Sequence, residues 1–125
     1  MKNTIKILIL TVMAFSLGSC YNDTFPEDNG PAPEDVSYSE DIQPMWNSDC
    51  VSCHKGGLAP DLRAENSYNS LLNGGYVIQG NADDSVLYQS LLGSNGVSLM
   101  PPGSMWPASS IQKVEAWINE GAKNN

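Results

Sequence analysis

Cys50-Val51-Ser52-Cys53-His54 puts two thiols and an imidazole within five consecutive residues. Wound as a helical turn, positions i, i+3 and i+4 fall on one side, so all three groups face whatever packs there. Several chemistries use such a pattern. A thioredoxin-like dithiol expects a preceding strand and a βαβ setting, and neither is written here. A zinc site needs further ligands, yet the chain has three cysteines and one histidine, so carboxylates would have to complete it. A disulfide between Cys50 and Cys53 is a tight closure.

The remaining chemistry is covalent haem attachment. Two thiols add across the vinyl groups of the porphyrin, and the neighbouring imidazole takes the iron from the proximal side. A low-spin iron also needs a sixth ligand. His54 is the sole histidine, so a second imidazole from the same chain is excluded and methionine is the usual substitute. Met45 precedes the motif by a few residues and shares a face with Ile42, which suits packing. Met100 and Met105 remain. Met100 is followed by Pro101-Pro102-Gly103, and two prolines stiffen the backbone that would hold its thioether. Met105, before Trp106-Pro107, is the alternative. Either methionine could also fill an irregular gap in the core. Trp106, beside the methionine loop, is expected to shield the cofactor.

Outward from the motif, the first nineteen residues differ from the rest. Lys2 and Lys6 precede an apolar run from Ile7 to Leu17, and small residues follow. That order is the order of an export signal. Leu17-Gly18-Ser19-Cys20 resembles the lipobox of bacterial lipoproteins, which implies cleavage before Cys20 and lipidation of its thiol. Acyl chains bind membranes through about 0.8 kcal/mol per buried CH₂. An ordinary signal ending near Ser19 would instead leave Cys20 as a free thiol. Tyr21, in place of an acid, favours the outer membrane over the inner.

The chain from residue 20 onward keeps all fourteen acids and four bases, a formal charge of −10. Such a surface repels nucleic acid and suits a redox partner with a basic docking face. Residues 20–37 are rich in Asp, Glu, Pro and Gly and read as an acidic, disordered tether. The domain is expected over residues 38–122, with 123–125 as a short tail.

Within the domain, helical spacing is predicted four or five times. Ser39-Glu40-Asp41-Ile42 opens the first helix, with Ile42, Met45 and Trp46 on one face and Pro44 limiting its start. Ser67 to Leu72 forms another, stopped by Gly74-Gly75. Asp83 or Asp84 caps a third, with Val86, Leu87, Leu91 and Leu92 as its apolar stripe and Gly93 closing it. Residues 94–107 read as loop. Ser109 and Gln112 have the spacing of a capping box for the last helix, which carries Ile111, Val114, Trp117 and Ile118 and ends at Gly121. No strand ladder is evident. A domain of about 85 residues buries little surface by itself, and a large apolar cofactor would complete its core.

Taken together, Asp41-Ile42-Gln43-Pro44, Cys50–His54, Met100-Pro101-Pro102 and Trp117-Ile118-Asn119-Glu120-Gly121-Ala122 resemble the ordered motifs of a bacterial monohaem cytochrome c domain. The resemblance covers most of residues 38–122. It implies an all-α, cytochrome c-like fold around one haem c, bound through Cys50 and Cys53, with His54 and Met100 on the iron. It also implies that a proline carbonyl, Pro60 here, accepts the ring N–H of His54, although a plain turn proline is equally compatible with that position. The expected role is one-electron transfer, without enzymatic turnover, in an exported, membrane-tethered carrier. A ligand sensor or enzyme with an open distal site, or a surface-complex module stapled by haem, are the alternative roles.

Overall fold

The computed structural model describes residues 30–125. The expected signal over 1–19 and the lipidation site at Cys20 lie outside the described residues. Among the described residues the fold is all-α, with four short helices and no sheet. We number them α1 (Gln43–Asp49), α2 (Ser67–Asn73), α3 (Val86–Leu92) and α4 (Ala108–Asn119). The one β-type pairing is an isolated bridge between Ile78 and Asn81. None of these helices is long and apolar enough to cross a membrane.

A single π-helical turn, Tyr38–Ile42, precedes α1. Its cause is Pro44. A regular α-helix would need the Pro44 amide to bond the carbonyl four residues back, and proline has no N–H to give. The chain widens instead, with Ile42 N–H on Ser37 O and Gln43 N–H on Tyr38 O. The cap is Ser37 rather than the expected Ser39. Its hydroxyl accepts from Glu40 N–H (3.2 Å) while Ser37 N–H donates to the Asp41 carboxylate (3.1 Å). This reciprocal pairing satisfies donors at the start of the helix.

The other helix starts also differ from expectation. Ser85, not Asp83 or Asp84, stands at the N-cap of α3, and its hydroxyl ties the preceding loop by donating to Asn81 O (2.7 Å) and accepting from Ile78 N–H (2.9 Å). Helix α4 starts at Ala108 behind Pro107, whose backbone is extended, so Ser109 lies inside the helix and makes no capping box. The stops match the glycine pattern. Gly93 takes a left-handed φ of 60° at the end of α3, a conformation open to glycine at no steric cost.

The core joins Ile42 and Trp46 to Leu71, Leu87, Leu91, Val114, Trp117 and Ile118, all buried. Helix α4 packs on both α3 and the π-helical turn. Val86, expected on the apolar stripe of α3, is exposed. Packing reaches past the expected edges of the domain. Val36 is only 5% exposed, and the amides of Asp35 and Val36 donate to the Glu120 carboxylate. Residues 123–125 do not trail away. Lys123 O accepts from Trp117 Nε1 (2.9 Å), and Asn125 accepts from the amides of Tyr38 and Ser39.

A buried polar relay crosses this core. Tyr38 OH donates to Ser67 Oγ (2.7 Å), Ser67 Oγ donates to Gln43 Oε1, and Gln43 Nε2 donates to Leu62 O (3.1 Å). Leu62 N–H then donates to His54 O (2.9 Å). The relay thus connects the first helical segment and α2 to the loop after Cys50–His54. Replacing Ser67 by Ala strips the partner from both Gln43 Oε1 and Tyr38 OH. Leaving buried polar atoms unpaired costs roughly 1–3 kcal/mol. Denaturant unfolding is expected to show that loss for Ser67→Ala and a smaller one for Tyr38→Phe, which leaves the Ser67–Gln43 bond in place. Equal stability of Ser67→Ala and wild type would contradict the relay.

Candidate functional site

Helix α1 ends at Asp49, and the chain turns once more before it leaves the helical path. Cys50 O accepts both Cys53 N–H (3.1 Å) and His54 N–H (2.9 Å). The three side chains of the motif therefore come from one closed turn, as the i, i+3, i+4 spacing predicts. All three line one cavity of about 410 Å³, within the common range of about 300–1,000 Å³ for small-molecule sites. Its other walls include Trp46 and Leu62, Leu87 and Leu91 of the core, and Met100, Pro101 and Pro102 of the long loop. The lining is mostly apolar and includes no lysine or arginine.

The two cysteines are unpaired thiols. Burial, aided by the nearby Asp49 carboxylate and Cys53, pushes the Cys50 thiol up to about 11. Thiolate-based exchange chemistry wants the opposite shift, toward neutral pH. The described residues contain no group of three or more His, Cys, Asp or Glu side chains placed to hold a bare metal ion.

His54 is oriented from behind. Its Nδ1 lies 3.0 Å from Pro60 O, and a carbonyl can only accept, so Nδ1 carries the proton, and in the neutral ring the lone pair is on Nε2. The loop carrying Pro60 is gripped next door. The Asp61 carboxylate accepts from Arg63 Nε (3.0 Å), Arg63 Nη2 (2.6 Å), the Arg63 amide (3.2 Å) and Asn66 Nδ2 (2.8 Å). Gly56 is required beside this clamp. Its φ is +95°, and a Cβ there would stand 3.0 Å from Arg63 Nη2.

Met100, far from the motif in the chain, lines the same cavity. Its amide donates to Ser90 O (2.8 Å), which fastens the loop to the last turn of α3, and the Met100–Pro101 and Ala59–Pro60 peptide bonds are cis. Met105 does not line the cavity and is 42% exposed. Trp106, expected to shield the cofactor directly, does not line it either. It is buried one layer back, stacked on Trp46 with ring centroids 5.6 Å apart and planes 17° apart. Trp46 is the tryptophan at the wall. Its indole N–H and that of Trp106 are buried without an acceptor among the described residues. Nearness of Trp106 to Met100 in the chain did not carry over to the cavity wall, whereas Trp46, one helical turn before Cys50, stands there.

The donor set fits a covalent haem: two thiols and a lone-pair nitrogen from one turn, a thioether from another segment, and apolar walls between them. Comparison of the chain with protein-family models, with curated proteins and with solved structures returned no match.

The Arg63 hydrogen bond holds the Asp61 carboxyl well below the usual carboxylate range. A carboxylate depressed in the folded state adds stability above its unfolded value of about 3.9, and that stability is lost as pH falls toward the folded value. Unfolding followed from pH 5 to pH 2 is therefore expected to show a shallower loss of stability for Asp61→Asn than for wild type. Parallel curves would show that the clamp does not act in solution.

Proposed function

We propose that this protein is a cytochrome c-like, one-electron carrier with a single haem c, held by Cys50 and Cys53 and ligated by His54 and Met100. The observation that carries the proposal is the convergence of these four side chains on one apolar cavity. Each Cys S–H would add across a vinyl group, sulfur to one carbon and hydrogen to the other, and leave a thioether. His54 would present Nε2 while Pro60 O holds Nδ1–H. When bound, haem c supplies an iron that alternates between Fe(II) and Fe(III) and so stores one electron.

The remaining residues suit that task. Met100 is tied to α3 through Ser90 O and followed by two cavity-lining prolines, an arrangement that opposes replacement of its thioether by water. Trp46 and the core leucines exclude solvent, which disfavours the added positive charge of the oxidised iron. No acid–base pair is needed, because electron transfer breaks no substrate bond. The acidic surface would steer encounters with a basic redox partner. The signal-like first nineteen residues and Cys20 would make the protein an exported lipoprotein, tethered to a membrane, with the outer membrane favoured.

The haem-loaded protein is expected to titrate reversibly with one electron. Its magnetic circular dichroism should show the charge-transfer band of sulfur-to-iron ligation in wild type and Met105→Ala, and lose it in Met100→Ala. Carbon monoxide should bind ferrous wild type poorly and Met100→Ala readily. Rapid carbon monoxide binding by wild type, or loss of the band in Met105→Ala alone, would overturn the assignment.

A further inference from the structure

We propose that Ser70 is a positioning residue for His54, acting through the plane of the Pro60–Asp61 peptide. The inference rests on the haem reading above and extends it to a side chain on α2.

The Pro60 carbonyl and the Asp61 N–H belong to one peptide unit. That unit is planar, and in the trans form its C=O and N–H point in opposite directions. Each end is held by a different side chain. Asp61 N–H donates to Ser70 Oγ at 2.8 Å, and Pro60 O lies 3.0 Å from His54 Nδ1. The peptide is therefore a rigid bar with the α2 hydroxyl at one end and the imidazole at the other. Rotation of the bar would break both bonds together.

Helix α2 is a firm place from which to hold it. Ser70 N–H donates to Asn66 O (2.8 Å), and Gly74 N–H donates to Ser70 O (3.1 Å), so Ser70 lies within the helical ladder. Asn66, one turn earlier, grips the Asp61 carboxylate from the same side. Arg63 closes on that carboxylate through its side chain. The plane is thus fixed by the Ser70 bond, and the adjoining Asp61 side chain is fixed by the clamp.

Two consequences follow for the ring. The first is angular, because the imidazole plane follows the direction of the acceptor that holds Nδ1–H. The second is electronic. A hydroxyl that accepts from the amide N–H polarises the peptide and makes its carbonyl a better acceptor. A better acceptor gives the imidazole more negative character, which favours the oxidised iron. Ser70 would then lower the reduction potential without touching the cofactor or its ligands.

The test uses the exported, haem-loaded protein as wild type, Ser70→Ala, Ser70→Val and Ser70→Thr. The readouts are NMR exchange of the His54 Nδ1 proton in the ferrous state and the midpoint potential. In Ser70→Ala the ring proton is expected to exchange about tenfold faster, the effect of roughly 1.4 kcal/mol of lost hydrogen bonding, and the potential to rise. Ser70→Thr keeps the hydroxyl and should restore both. If Ser70→Ala yields no folded holoprotein, Ser70→Val, which differs from Ser70→Thr only by a methyl in place of the hydroxyl, should show the same directions. Wild-type exchange and potential in whichever of these two variants folds would overturn the inference and leave the haem reading intact. A wild type with no covalently bound haem would instead bring down the haem reading, and this inference with it.

Discussion

One carbonyl oxygen organises the site. Cys50 O receives the amides of both Cys53 and His54, and this closes a turn at the end of α1 from which three reactive side chains project into the same cavity. Several other parts of the domain hold that turn or wall the space beside it. Trp46 and Ile42, fully buried, anchor α1 in the core. The Tyr38–Ser67–Gln43–Leu62 relay fastens the outgoing loop, and Leu62 N–H returns to His54 O. The chain entering and leaving the motif is thereby tied to a common core.

The fold is economical for its size, and its irregular segments carry as much of the site as its helices. Of the four helices, α1 delivers the motif, α2 grips the loop behind His54, and α3 supplies cavity wall and the carbonyl that pins Met100. Helix α4 packs on α3 and the π-helical turn and buries Val114, Trp117 and Ile118. The stacked pair Trp46 and Trp106 adds roughly 0.5–1.5 kcal/mol beyond area burial, but leaves two indole N–H groups without acceptors among the described residues.

Local features were legible in the amino-acid sequence, and distant ones were not. The Cys50–His54 turn follows from spacing, and the glycine stops at Gly74, Gly93 and Gly121 follow from backbone freedom. The helix starts were less legible, because Ser37 and Ser39, or Asp83, Asp84 and Ser85, are chemically interchangeable candidates until the fold selects one. The Pro60 contact was suggested by family resemblance rather than by any local rule. The Asp61–Arg63–Asn66 clamp and the Ser70 bond escaped altogether. They join a loop to a helix through side chains whose spacing carries no periodic signal. Trp46, and not Trp106, stands at the cavity wall, because proximity in the chain is a poor guide to stacking.

The central claim is that Cys50 and Cys53 grip one porphyrin while His54 takes its iron. Its most direct measurement is the mass of the exported protein, made with a working haem-attachment system, after denaturation and proteolysis. The account requires the peptide containing Cys50–His54 to carry the added mass of one haem through two thioethers, and to lose it in Cys50→Ala/Cys53→Ala. Recovery of that peptide from wild type with two unmodified thiols would contradict it.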